Sequence, residues 1–77
     1  MPIVTIKLLE DVFDQAQQEA MIDKVTDAMC EVGGEGMRQA VHVLVEQVPS
    51  GLWGIGGAKL RTDEVLARRG ERPPEKS

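Results

Sequence analysis

The chain has 77 residues, of which 42% are apolar, with one cysteine, Cys30, and one histidine, His42. A single cysteine excludes a disulfide within the chain, and one cysteine with one histidine argues against a structural zinc site. The net charge of −4 disfavours binding to nucleic acid or to an anionic membrane. Because so small a core is marginal by itself, self-association is the favoured way to bury more apolar surface.

The first predicted strand runs from Pro2 to Leu9. It is rich in β-branched residues and begins with proline, which strands tolerate at their first position. Both of its faces are largely apolar, which predicts burial on both sides, as in a parallel sheet.

A helical pattern follows, with Asp14 as the predicted N-cap and Gln17 in the capping-box position. The apolar residues that recur with helical spacing predict one buried stripe: Met21, Ile22, Val25, Ala28, Met29 and Val32. Gly33-Gly34 is expected to end the helix, since glycine adopts left-handed backbone angles at little cost. Cys30 lies beside Glu31, which disfavours a thiolate, so we interpret Cys30 as a packing residue.

Val41–Val48 is the second predicted strand. A strand, a helix and a second strand predict a right-handed βαβ unit with parallel strands. Two strands leave exposed edges, so the subunit looks incomplete alone. A turn follows at Pro49–Gly51, then a glycine-rich short hairpin or loop over Leu52–Gly57.

Thr62 is the predicted cap of a last short helix, Asp63–Arg69. We expect one domain over residues 1–69 and a disordered tail over residues 70–77. No apolar run reaches membrane length, and no secretory signal pattern opens the sequence. With a lone cysteine, these features favour a cytoplasmic setting and no membrane partner.

Few side chains are plausible catalysts. Ser50 has no nucleophile elbow around it, and Gly54–Gly57 lacks the spacing of a phosphate-binding loop. Pro2 remains, because removal of Met1 would leave it with a free secondary amine on a rigid ring. Such an amine is a base only when neutral, and apolar burial lowers its pKa by disfavouring the ammonium form. Met-Pro alone is weak evidence, since many proteins begin this way.

The wider pattern changes that weighting. The strand Pro2–Glu10, the helix, the valine-rich second strand and the segment Ser50–Gly57 together resemble the 4-oxalocrotonate tautomerase family, over Pro2 to about Leu60. The resemblance implies an α+β fold: a β-α-β subunit with parallel strands and a short C-terminal hairpin. It also implies dimers that assemble into a hexamer, a trimer of dimers, and catalysis without metal or cofactor.

In this family the N-terminal proline moves a proton in enol-to-keto conversion, and the resemblance carries that role to Pro2. Trp53 matches an aromatic position that lines the apolar pocket, although interface packing explains it equally well. Leu9 and Ile55 are the other apolar residues predicted to bind the substrate, a small enol or keto acid. His42 stands in the second strand where members carry an arginine.

Two departures from the family bear on the substrate. Members carry an arginine shortly after the first strand, and this segment offers Val12 instead. A neutral imidazole at His42 can donate one hydrogen bond but cannot replace a bidentate guanidinium. Arg38, Lys7 or Arg61 are candidates for the missing positive charge. We therefore expect a 2-hydroxy-alkenoate or arylpyruvate-type enol rather than a dicarboxylate dienol.

Two other functions fit the same sequence. The first is a proline-assisted hydratase or dehalogenase, in which Pro2 acts as a cationic acid and an acidic residue activates water. The second is a non-catalytic oligomer subunit, which the missing arginines favour. A rate that rises as the proline deprotonates separates the tautomerase from the first, and retention of Met1 would favour the second.

Overall fold

The computed structural model describes residues 2–70. Its elements in chain order are β1 (Ile3–Leu9), α1 (Gln15–Gly33), a 3₁₀ helix (Glu35–Ala40), β2 (His42–Val48), β3 (Trp53–Ile55), β4 (Ala58–Leu60) and α2 (Thr62–Arg68). Strands β1 and β2 are parallel neighbours, and β3 pairs with β4 as an antiparallel hairpin. This confirms the predicted β-α-β subunit with a C-terminal hairpin. Residues 71–77 of the predicted disordered tail lie outside the described residues.

The described residues form two compact units. The helix unit contains residues 2–6 and 15–46, and the hairpin unit contains residues 7–14 and 47–70. The single domain over residues 1–69 stays a prediction. In the part of the chain that the structure describes, neither helix combines the length and apolar character of a membrane span.

Two backbone hydrogen bonds define the register of β1 and β2. The His42 N–H donates to the Pro2 carbonyl at 3.0 Å, and the Glu10 N–H donates to the Val48 carbonyl at 2.9 Å. In a parallel ladder these bonds place His42 beside Ile3 and Val48 beside Leu9, the same register at both ends. The pair therefore runs without a bulge.

The two faces of β1 differ in burial. Val4, Ile6 and Leu8 are half-buried, while Ile3, on the other face, is 66% exposed in the single chain. Leu44 of β2 is likewise 45% exposed. The expectation of burial on both faces is therefore wrong for one chain by itself, because the residues that the structure describes leave Ile3 and Leu44 exposed, although Leu9 at the end of the same face is buried.

Helix α1 has the predicted ends, and four residues of the predicted stripe are half-buried: Met21, Ile22, Val25 and Met29. It begins directly after Asp14, and Gly34 follows its last residue with φ 99°, its N–H donating to the Cys30 carbonyl at 2.7 Å. Cys30 is buried, as its interpretation as a packing residue requires. Ala28 and Val32 are exposed instead of buried, with Val32 at 92%. Both lie about 200° around the helix from Cys30, on the opposite side.

The hairpin unit has its own apolar core. Leu9, Val12 and Leu66 form the buried cluster, and the half-buried side chains that pack against it include Phe13, Trp53, Leu60 and Val65. Leu66 is 1% exposed. Helix α2 thus buries its apolar side against the end of β1 and the hairpin.

Glu10 forms hydrogen bonds that connect three segments of the hairpin unit. Its carboxylate accepts the Ser50 N–H at 2.6 Å, and its carbonyl accepts the Thr62 hydroxyl. The Ser50 hydroxyl in turn accepts the Thr62 N–H at 2.9 Å. The prediction that Thr62 caps the last helix is therefore wrong. Helix α2 begins at Thr62 with Arg61 as its N-cap, because the Thr62 hydroxyl is used in the contact with Glu10.

The β3–β4 hairpin turns at Gly56 and Gly57, between the paired residues Ile55 and Ala58. Both glycines have positive φ, 57° and 86°. A two-residue hairpin loop of this kind matches the twist of its strands only with left-handed angles at both positions. The glycine density of the sequence therefore serves a tight turn, as predicted.

Candidate active site

Pro2 and His42 meet in the helix unit. Pro2 is half-buried immediately before β1, and its carbonyl accepts the His42 N–H. The His42 side chain is exposed, on the same face of the pair as Ile3. The backbone contact and the proline ring together restrict the orientation of the Pro2 nitrogen.

The other predicted substrate-binding residues belong to the hairpin unit. Leu9 is buried in the apolar cluster, and Trp53 packs against that cluster. Ile55, at the end of β3, is 62% exposed. The structure therefore brings Leu9 and Trp53 together, while the roles of all three residues in substrate binding stay predictions.

A cavity of about 300 Å³ lies within the hairpin unit. Its wall is mainly apolar and includes Leu9, Val12 and Trp53. The charged side chains that line it are both cationic, Lys7 and Arg69. An apolar cavity with cations and no lining carboxylate suits a small organic anion.

The three cations suggested by the sequence have different surroundings. Arg38 donates hydrogen bonds to Asp27 at 2.9 Å and to Glu35, within the helix unit. The hydrogen bond from Arg38 lowers the pKa of Glu35 and raises that of Arg38. The Arg61 guanidinium lies close to Gly51, 3.2 Å from where a Cβ would stand. Lys7 is the member of the three that lines the cavity.

The model of the family described as tautomerase enzyme matches residues 2–63 of this chain. The chain belongs to the tautomerase family. Probable tautomerase SAV1363 of Staphylococcus aureus is 39% identical over 59 residues, which are 77% of this chain and 93% of that protein. The 2-hydroxymuconate tautomerase of Pseudomonas putida is 36% identical over 61 residues, 79% of this chain and 94% of that protein.

Solved structures agree with the family assignment. The crystal structure of SAR1376 from methicillin-resistant Staphylococcus aureus covers 75% of this chain and 90% of its own, with a TM-score of 0.66 and 36% identity. The crystal structure of YwhB, a homologue of 4-oxalocrotonate tautomerase, covers 82% of this chain and 97% of its own, with a TM-score of 0.67 and 27% identity. The protein is thus an isomerase of the tautomerase type, as predicted.

Arg69 is the cavity residue that the sequence analysis missed. It follows α2, beyond the end of the tautomerase match at residue 63, and its guanidinium lies 5.2 Å from the centre of the Phe13 ring. Val65 and Arg69 are four residues apart and both line the cavity, which places them on one side of the helix end. This helical spacing of Val65 and Arg69 is the feature of the sequence from which Arg69 could have been predicted to lie beside an apolar residue of the site.

Proposed function

We propose that Pro2, freed as the N-terminal amine by removal of Met1, is the general base of this tautomerase. The amine takes the proton of the enol hydroxyl and returns a proton to carbon, so that the oxygen becomes a carbonyl. Support comes from the tautomerase match, which begins at Pro2, and from the contact that holds the Pro2 backbone beside His42. The rigid ring then aims the lone pair with little loss of entropy.

The proposed substrate is a small monoanionic enol, either a 2-hydroxy-alkenoate or an arylpyruvate-type compound. A dicarboxylate dienol needs two strong carboxylate contacts, and a guanidinium provides the bidentate geometry for each. Val12, which stands where members carry the first arginine, is 8% exposed and belongs to the core. His42 stands where they carry the second, and an imidazole lacks the bidentate N–H donors of a guanidinium.

The site is proposed to form between copies of the chain. Leu9 lies seven positions after Pro2 along the strand, which is about 23 Å at roughly 3.3 Å per residue. A small enol cannot touch both ends of β1 at once, so Pro2 of one copy would face Leu9 and Trp53 of another. Exposed apolar residues, including Ile3 and Leu44, support burial in such an assembly, for which we propose a hexamer of three dimers.

The base is tested by steady-state kinetics on phenylenolpyruvate and 2-hydroxymuconate, with intact-mass analysis of every sample. Pro2→Ala should lower kcat/KM at least about 100-fold, a loss typical of removing a positioned general base. Pro49→Ala, the same change at an exposed turn residue, should leave kcat/KM within about twofold. The rate should rise with pH as the amine deprotonates.

Three results would contradict the proposal. Full activity in a sample that retains Met1 excludes Pro2 as base, because its nitrogen would be an amide without a basic lone pair. Equal effects of the two proline substitutions exclude a specific role for Pro2. Faster turnover of the dicarboxylate than of phenylenolpyruvate refutes the substrate class, and a rate that falls as the amine deprotonates favours the hydratase chemistry.

A further inference from the structure

We propose that Arg69, assisted by Lys7, binds the substrate carboxylate in the cavity of the hairpin unit, with the apolar part of the substrate against Leu9 and Trp53. The identity of the ligand rests on the proposed function. The binding itself does not need Pro2, because every residue named here belongs to the hairpin unit.

The composition of the cavity selects a ligand with one anionic end. Its volume of about 300 Å³ is at the lower end of the range for ligand sites, which suits a single ring or a short chain. Its wall is apolar apart from the two cations, so an apolar group gains by leaving water while a carboxylate meets positive charge. A neutral apolar ligand would gain nothing from the two cations.

Arg69 has the geometry of a carboxylate-binding residue. Its guanidinium carbon lies over the Phe13 ring, 5.2 Å from the ring centre, a cation–π contact that restricts a long side chain. A guanidinium carries five N–H donors in one plane, and contact with a single ring face does not use them all. A carboxylate can therefore accept bonds from Arg69 while the contact with Phe13 persists.

Arg69 also explains how the cavity keeps a positive charge without an arginine at position 12. Val12 lines the same cavity and contributes to its core. The cation comes instead from the end of α2, which is anchored to that core by Leu66. In this chain the carboxylate contact has moved from the segment after β1 to Arg69, which follows α2 and lies beyond residue 63, where the tautomerase match ends.

The test uses Trp53, which is the one tryptophan of the chain and lines the cavity. Phenylacetate and phenylacetamide share a ring and a size but differ in charge. Each is titrated into the full chain, with Trp53 fluorescence and the backbone amide NMR shifts of Leu9 and Trp53 as two readouts. Phenylacetate should bind at least about fivefold more tightly than the amide, because only the acid gains the charge-assisted contact.

Matched variants separate the two proposed cations from general charge. Arg69→Gln should raise the Kd of phenylacetate roughly tenfold, and adding Lys7→Gln should raise it further. The control pair Arg68→Gln and Lys59→Gln removes the same charge from exposed residues outside the cavity, and it should leave the Kd within about twofold. Arg69→Lys should retain part of the affinity, and circular dichroism checks that α2 persists in each variant.

Each contrary result has a definite meaning. Equal Kd values for acid and amide, or equal effects of Arg69→Gln and Arg68→Gln, overturn the proposal that these cations bind a carboxylate. No response to either ligand in fluorescence and NMR shows that the cavity is not a ligand site, as when a second copy of the chain fills it.

Kinetics distinguish this inference from the proposed function. Arg69→Gln should raise the KM for phenylenolpyruvate with kcat nearly unchanged, whereas Pro2→Ala should lower kcat and leave the Kd of phenylacetate unchanged. An unchanged KM in Arg69→Gln overturns the carboxylate contact alone. Full activity in Pro2→Ala overturns the proposed base and leaves the binding result standing.

Discussion

Replacement of Leu66 by alanine should destabilise the hairpin unit more than the same replacement of any exposed leucine. Leu66 is 1% exposed and packs with Leu9 and Val12, so the substitution removes buried carbon atoms and leaves a space that α2 cannot close without moving. Buried Leu→Ala changes cost about 2–5 kcal/mol, and we expect roughly 3 kcal/mol here. For a domain of this size that corresponds to a Tm lower by roughly 12–24 °C.

The matched control is Leu52→Ala, the same chemical change at a residue that is 73% exposed. It should change the unfolding free energy of the subunit by no more than about 0.5 kcal/mol. Both variants are measured by urea unfolding with circular dichroism, at two protein concentrations ten times apart, because subunit association makes apparent stability depend on concentration. A Leu52→Ala effect that grows with concentration places Leu52 in an interface between copies.

The result that refutes the reasoning is a Leu66→Ala variant that loses less than about 1 kcal/mol at both concentrations. The core described for the hairpin unit would then not depend on α2. The position of Arg69 at the cavity would lose its structural support as well, since that residue directly follows α2.

Three further predictions concern charged side chains. Arg38→Gln should raise the pKa of Glu35 toward its ordinary value of 4.5, because the hydrogen bond from Arg38 lowers that pKa. The contact should stabilise the folded chain above pH 4.5, and this stabilisation should be lost as the pH falls through the lowered pKa of the folded state. An unchanged pKa of Glu35 in a carboxyl NMR titration would contradict this prediction. His42→Arg should raise kcat/KM for 2-hydroxymuconate roughly tenfold, since His42 is exposed and a guanidinium binds a carboxylate well. Val12→Arg should instead cost about 2 kcal/mol or more in urea unfolding, because Val12 is 8% exposed, and equal stability of the two variants would refute that difference.

The elements that the sequence predicts well are those with local signals. Strand β1 follows from a β-branched run, the ends of α1 from Asp14 and Gly34, and the hairpin from Gly56-Gly57. Periodicity identified the half-buried side of α1 at Met21, Ile22, Val25 and Met29 but not its edges, because Cys30 is buried while Val32 is exposed, and both are apolar. The 3₁₀ helix over Glu35–Ala40 is too short to show a period of its own.

Contacts between distant segments explain what the sequence could not predict. Thr62 has the residue type of an N-cap, yet its hydroxyl binds the carbonyl of Glu10 at the other end of the unit. Arg69 likewise meets Phe13 only because α2 folds against the segment after β1. No sequence spacing predicts either contact, since each depends on how the segments of the hairpin unit pack against one another.

The positions of Pro2 and Arg69 assign proton transfer and carboxylate binding to different segments of the chain in the proposed mechanism. The proposed base, Pro2, precedes β1, inside the segment that matches the tautomerase family, and the proposed carboxylate contact, Arg69, follows α2 outside it. Substitutions in α2 can therefore change which anion binds without touching the residue that moves the proton. If so, Arg69→Gln and Pro2→Ala should act independently, and their effects on kcat/KM should multiply, because one removes ground-state binding and the other the proton transfer. A double variant no slower than Pro2→Ala alone would show that Arg69 acts only through the base.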